Sequence, residues 1–338
     1  MRKKEDFLHT PIKPLEVRGE QSTAELLESM RNISFQGRSL AEAFYVWKEM
    51  LQGETLIFLG LAGAMVPAGM RKVISYLIQH RFIDCLVSTG ANLFHDCHET
   101  LGKHHFKGSP WLDDLTLYQQ GIDRFYDTLA SEAEFRQTDQ FIAHFAEKLD
   151  LTRPYTTREF FKLLGQELLQ VGVEEGILTS AVTAGVPIFC PAIADSSYGI
   201  ALAYLYHTTG KKLVFDVIKD VEDSARLVIQ ASRTGVIYVG GGTPKNFIQQ
   251  TEITASILGH DAQGHKYAIQ LTTDMPQWGG LSGCTFEEAQ SWGKIARQAE
   301  KVTVNADATI ALPFLVTALD KERENLLPNR KVPQLKFD

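Results

Sequence analysis

The chain has 338 residues, 44% of them hydrophobic and 22% charged, which suits a folded protein with a large core and excludes a disordered or fibrous chain. The formal net charge of −7 excludes a general nucleic-acid binder, because binding phosphate requires a basic surface. No apolar run reaches the ~18 residues that span a bilayer, the start MRKKEDFLHTPIKPLEV has no apolar stretch behind its basic residues, and four scattered cysteines lack CxxC spacing. A cytoplasmic protein without a membrane partner is expected.

Residues 1–36 are polar, proline-bearing and weakly periodic, and read as an N-terminal arm that packs on a body or a partner subunit. Residues 37–338 read as a single domain. Short apolar runs rich in strand formers recur at 55–61, 83–88, 186–190, 213–217, 236–239, 267–272 and 302–306. Between them, helical spacing appears at 69–79, 158–171 and 222–232, and residues 110–180 read as a helical insertion. Strand–helix alternation predicts an α/β fold: a Rossmann-like parallel sheet with helices on both faces.

In such sheets ligands sit where strands end and helices begin. Four loops of small residues follow apolar runs: Gly60–Met65, Ser88–Asn92, Pro191–Ser196 and Gly240–Asn246. In the last, three glycines permit close backbone approach, and the following helix start offers N–H groups to a pyrophosphate. Together the loops point to a nucleotide crevice, although a tight structural turn explains any one of them as well.

Two further stretches carry chemistry. His95-Asp96-Cys97-His98-Glu99, followed by His104-His105, places four histidines and two carboxylates in eleven residues. On a helix, His95, His98 and Glu99 share a face that suits zinc or iron. Because His104-His105 lie beyond a helix end at Gly102, a solvated or substrate-lining helix is expected instead, with no metal. Ser291-Trp292-Gly293-Lys294, after Glu287-Glu288, sets a lysine beside an indole and two carboxylates. An unprotonated lysine forms imines, and the indole and carboxylates attract an ammonium. The alternative for EEAQSWGKIARQAEK is an ordinary surface helix with a solvated lysine.

Taken in order, GAMVPAG, VSTGANLFHD, PAIADSS, VGGGTPKN, EEAQSWGK and VNADA resemble the deoxyhypusine synthase family over nearly the whole chain, and most closely its deoxyhypusine synthase-like branch. The resemblance implies NAD as cofactor, a homotetramer with sites between subunits, and transfer of an aminobutyl group from a polyamine to an acceptor amine through a lysine imine. Lys294 aligns with that lysine, Trp292 with an aromatic wall and Glu288 with an amine-binding carboxylate. Asp195, Gly241, Thr273, Asp307 and Ala308 fall at NAD-binding positions, and the small-residue loops add Gly63, Thr89 and Gly90.

The chain departs from the family's pattern in the amine pocket. Asn246 stands where eukaryotic synthases carry histidine, Ile200 and Leu281 replace aspartates, and Phe94-His95 occupy a pair of glutamates. Asn246 and His95 are therefore expected to line a rebuilt substrate pocket for small amines, as in relatives that make homospermidine. Three alternatives stand beside this reading: a true deoxyhypusine synthase with a translation-factor lysine as acceptor, a non-catalytic NAD- or polyamine-binding protein, and a metalloenzyme built on His95 and His98.

Overall fold

A computed structural model describes residues 3–337, so the first two residues of the expected arm and the last residue of the expected domain lie outside the described residues. Nine strands occur among them: β1 (Leu56–Leu61), β2 (Cys85–Ser88), β3 (Phe106–Lys107), β4 (Ile122–Phe125), β5 (Thr128–Ser131), β6 (Ile188–Phe189), β7 (Thr234–Val239), β8 (His265–Thr272) and β9 (Ile295–Asn305). Six of them form one parallel sheet in the order β6-β2-β1-β7-β8-β9. Counted along the chain, that is third, second, first, fourth, fifth, sixth, the strand order of dinucleotide-binding folds. The order reverses between β1 and β7, so the crevice for a ligand opens beyond their carboxyl ends.

The alternation of side chains along the strands sorts the core into two layers. Ile57, Leu59 and Leu61 of β1 face one layer, with helices Phe35–Leu51, Arg71–Gln79, Gly90–Thr100, Thr157–Val171 and Ala308–Lys321. Leu56 and Phe58 face the other, with helices Val217–Gln230, Gly242–Ile257 and Phe286–Ser291. All six residues of β1 and of β7 are buried, as the continuous apolar runs of a two-sided parallel sheet require.

Several expectations are corrected. Residues 213–217 form no strand; Phe215 makes one isolated bridge to Tyr155. Asp216 accepts from the Lys219 N–H at 2.8 Å and so caps a helix that begins at Val217, five residues ahead of the expected start. The insertion is only partly helical, because β3, β4 and β5 form a small antiparallel sheet before helix Glu132–Glu147. In the arm, a capping box between Ser22 and Glu25 starts a helix at Thr23 that buries Ala24 and Leu27 against the body. Residues 295–301 do not continue a surface helix. The helix before them stops at Ser291, Gly293 turns at φ +74°, and Ile295 opens edge strand β9, which carries a bulge opposite His265–Tyr267.

Candidate active site

The loops after β1, β7, β8 and β9 enclose a crevice of about 450 Å³ lined by Gly63, Gly241, Thr273, Asp307 and Ala308, together with Met65, Asp274 and Ser282. Thr89 and Gly90 stand beside it at the end of β2, tied in by Asn92. This fully buried side chain donates to Gly63 O at 2.9 Å and Thr89 Oγ1 at 3.1 Å, and accepts from the Val66 N–H at 3.2 Å. Asp195, by contrast, is exposed on the loop after β6, at the sheet's opposite edge from β9 and outside the crevice lining.

The glycine loop is less open than its sequence suggests. A Cβ on Gly241 would lie 2.5 Å from Ser282 Cα, so the glycine is needed where the 280–284 loop crosses it. Ser282 Oγ accepts from the Gly242 N–H at 3.0 Å, which occupies one of the groups expected to await an anion. Asp307 is exposed at the opposite wall, where it caps helix Ala308–Lys321 by accepting from the Thr309 hydroxyl and N–H. Those bonds hold its carboxyl below the usual range.

Lys294 lies on the second layer, at the amino end of β9. Its ammonium donates to Asn246 Oδ1 at 3.3 Å and stands 5.3 Å from the Trp292 ring centroid. Trp292 is 69% exposed, so one face of the site is open. Glu288 is also exposed, and one of its oxygens accepts from the Thr285 N–H at 2.7 Å as part of a capping box.

Lys245, within the glycine loop Gly240–Asn246, turns inward beneath residues 282–284. Its ammonium donates to Gln270 Oε1 at 2.9 Å and Cys284 O at 2.5 Å, and only 1% of the residue is exposed. Burial pushes this lysine down to about 8, with the nearby Lys294 charge acting in the same direction. The lysine site and the crevice thus share a wall, Ser282, whose carbonyl also accepts from Gln270 Nε2 at 2.7 Å.

His95 belongs to the other layer. Its helix, Gly90–Thr100, is not solvated: His95 is 6% exposed and His98 is fully buried. Among the described residues no cluster of three or more histidine, cysteine or acidic side chains is arranged to hold a metal ion. His105 folds back on the helix beyond Gly102, with Nε2 2.9 Å from His95 Nδ1 and Nδ1 2.7 Å from Glu99 Oε1. Phe94 turns into the core against Phe135. Ile200 and Leu281 are exposed, by 63% and 49%, Leu281 in the same loop as Met275 and the 71% exposed Trp278.

His105 and Phe125 line a groove of about 910 Å³ that shares Met65 and Asp307 with the crevice. One protomer therefore does not bring His95 and Lys294 together: they lie on opposite layers of the sheet with the crevice between. Sequence reasoning missed Asn92, Gln270, Ser282 and the inward Lys245, whose roles depend on contacts between distant loops. Asn92 alone had a local signal, an amide in the first turn of a helix that follows a strand.

The sequence profile of the family described as deoxyhypusine synthase matches residues 25–319. A relative named probable deoxyhypusine synthase 2, from Methanosarcina mazei, is 53% identical over 98% of this chain and 95% of its own length. A deoxyhypusine synthase-like protein from Chlorobaculum tepidum is 37% identical over 92% and 90%. A solved structure from Entamoeba histolytica that carries the synthase name shares the fold, with a TM-score of 0.64 at 19% identity, covering 91% of this chain and 96% of that one. The chain belongs to the deoxyhypusine synthase family of aminobutyl-group transferases.

Proposed function

We propose that the protein is an NAD-dependent transferase that moves an aminobutyl-type group from a polyamine or related amine to an acceptor amine, with Lys294 as the covalent carrier. The observation that carries this reading is the environment of Lys294: a half-buried amine held by Asn246, with Trp292 beside it and the buried Lys245 behind. Imine formation uses a lysine's unprotonated amine as the nucleophile, and this site sets that amine between one amide acceptor and an aromatic wall.

The strand order, the switch point and the small-residue crevice fit a dinucleotide, with Gly63, Thr89, Gly90, Gly241, Thr273, Asp307 and Ala308 as its contacts. Asp195, on an exposed loop, joins that set only when a neighbouring protomer or the cofactor covers it. NAD held by these residues would supply the reversible hydride exchange that the donor amine and the product require. Asn246 then orients the lysine, and Trp292 and Glu288 hold the ammonium end of the substrate.

The same reading calls for a homotetramer, in which His95 of one protomer would face Lys294 of another. The exposed Trp278, Leu281 and Trp292 give such an interface apolar surface. Four free cysteines, three of them buried, suit a reducing cytoplasm, and no helix among the described residues is long and apolar enough to cross a membrane. The name of the Methanosarcina mazei relative favours a second reading in which the acceptor is a protein lysine.

Borohydride reduction after incubation with NAD and spermidine, putrescine or agmatine, followed by peptide mass analysis, tests the proposal. A reduced adduct on Lys294 is expected. An adduct on Lys245 alone, or none with any amine while NAD binds by calorimetry, overturns it. Turnover with polyamines alone, compared with turnover after adding the translation factor, decides between free-amine and protein acceptors.

A further inference from the structure

The chain Glu99–His105–His95 has a fixed direction. Glu99 is a carboxylate 3.7 Å from the buried Arg71 guanidinium, and it accepts at 2.7 Å from His105 Nδ1. In the singly protonated form of the ring, His105 Nδ1 therefore carries the proton, which leaves Nε2 as an acceptor. His95 Nδ1, 2.9 Å away, must then be the donor, so His95 Nε2 is a bare lone pair.

The neighbouring histidine supplies a contrast. His98 Nε2 has no partner and is sealed from solvent, whereas His95 Nε2 also has no protein partner but is not among the sealed atoms. The His95 ring packs edge-on to Phe125, with centroids 5.0 Å apart, and Phe125 and His105 both line the groove that joins the crevice. Burial and the adjacent imidazoles push His95 down to about 3, which keeps it uncharged.

We propose that Glu99 and His105 lock the tautomer of His95 so that its Nε2, next to the groove that His105 and Phe125 line, is a neutral acceptor that selects an N–H end of the amine substrate. The inference rests on the amine-transfer reading above and adds a specificity-determining atom to it. A neutral acceptor binds one N–H of an ammonium without adding a negative charge, so it discriminates by geometry more than by net charge.

The test uses the assembled full-length protein with 15N-labelled histidine. Long-range 1H–15N spectra are expected to show both His95 and His105 protonated at Nδ1 and bare at Nε2. Titration with putrescine in the presence of NAD is expected to shift the His95 Nε2 resonance. His95→Leu is expected to raise the amine KM on the order of 10- to 100-fold, with a smaller change in kcat. His95→Gln, whose Oε1 reaches the same place, recovers most of that loss.

Glu99→Gln, which removes the anion but keeps the shape, is expected to mix the tautomers and raise KM in the same direction, and it serves where His95→Leu fails to fold. An Nε2–H tautomer at His95, or unchanged KM in these variants, overturns the inference. Lys294 trapping with no His95 shift sinks this inference alone. A correct tautomer with no lysine trapping by any amine sinks the transferase reading, and with it the assignment of the ligand.

Discussion

The two layers of the sheet bury ionisable groups to different ends. On the first, Arg71, Asp96, Glu99, His95 and His105 form a closed network, and Asp96 also accepts from the N–H groups of Ile177 and Leu178 at 2.7 and 2.9 Å. On the second, Lys245 is fully enclosed while Lys294, its neighbour, keeps one polar partner beside a largely exposed tryptophan. The first layer is organised within the protomer except at one open atom, His95 Nε2, whereas the second leaves its lysine and tryptophan open to a substrate or a second chain. Pre-organisation and reactivity are thus divided across the sheet, and removing groups from each side should have different consequences.

The largest effect is expected from Lys294→Arg. Arginine keeps the charge but forms no imine, so transfer falls by about 10⁴-fold or more while calorimetric NAD binding persists. Equal losses in binding and folding would make the lysine structural and remove the contrast between the layers.

On the first layer, Asp96→Ala takes from buried Arg71 its nearest and only fully buried carboxylate, leaving Glu174 at 3.2 Å and Glu99 at 3.7 Å, and leaves two helix-start N–H groups without an acceptor. A loss of about 3–5 kcal/mol in denaturant unfolding is expected. A loss below about 1 kcal/mol would show that water replaces the carboxylate and that this layer is not rigid.

Acid should also strike that layer first. His95 and His98 sit at about 3 in the fold against an ordinary 6.5, so the unfolded chain binds protons that the folded chain refuses. Stability is therefore expected to fall as pH drops from 6.5 towards 3, by up to about 1.4 kcal/mol per unit for each histidine. His95→Gln should flatten the slope measured by urea unfolding.

Alkali tests the other layer, with a slope of the same sign in a different pH window. Lys245 sits at about 8 against an ordinary 10.5, so between those values the unfolded chain holds a proton that the folded chain has released. Stability should rise with pH over that window relative to Lys245→Met, by up to about 1.4 kcal/mol per unit. Parallel curves for the two proteins would mean that the lysine stays charged in the fold.

The smallest expected effect is that of Ser282→Ala, which removes the acceptor for the Gly242 N–H at a cost of about 1 kcal/mol in thermal unfolding. Borohydride labelling of Lys294 should survive this change, since Ser282 reaches the lysine pocket through its backbone carbonyl rather than its hydroxyl.

Much of this arrangement was legible in the sequence because continuous apolar runs and the small-residue loops after them are local signals. They located β1, β2, β7 and β8 to within a few residues, and two of the four loops, Gly60–Met65 and Gly240–Asn246, contribute to the crevice lining, whereas Pro191–Ser196 lies outside it. Residues 213–217 misled because an apolar run of that length is equally compatible with a strand or with an extended approach to a helix, and the Asp216 cap decided for the latter. The 287–301 stretch misled for the opposite reason: its helical spacing is real as far as Ser291, but tertiary pairing with β8 overrides propensity beyond Gly293. The return of His105 onto His95 and the inward turn of Lys245 depend on contacts across ten and up to thirty-nine residues, which no local pattern encodes.

The bulge at the start of β9 also bears on how the protein behaves when concentrated. As the outermost strand of the sheet, β9 is a template on which a stray chain could add by backbone pairing. The irregular register opposite His265–Tyr267 falls in its first half, where Arg297, Gln298 and Glu300 are exposed. A kinked, charged edge does not pair in register over its full length, so the bulge that follows Lys294 guards the protein against edge-to-edge aggregation.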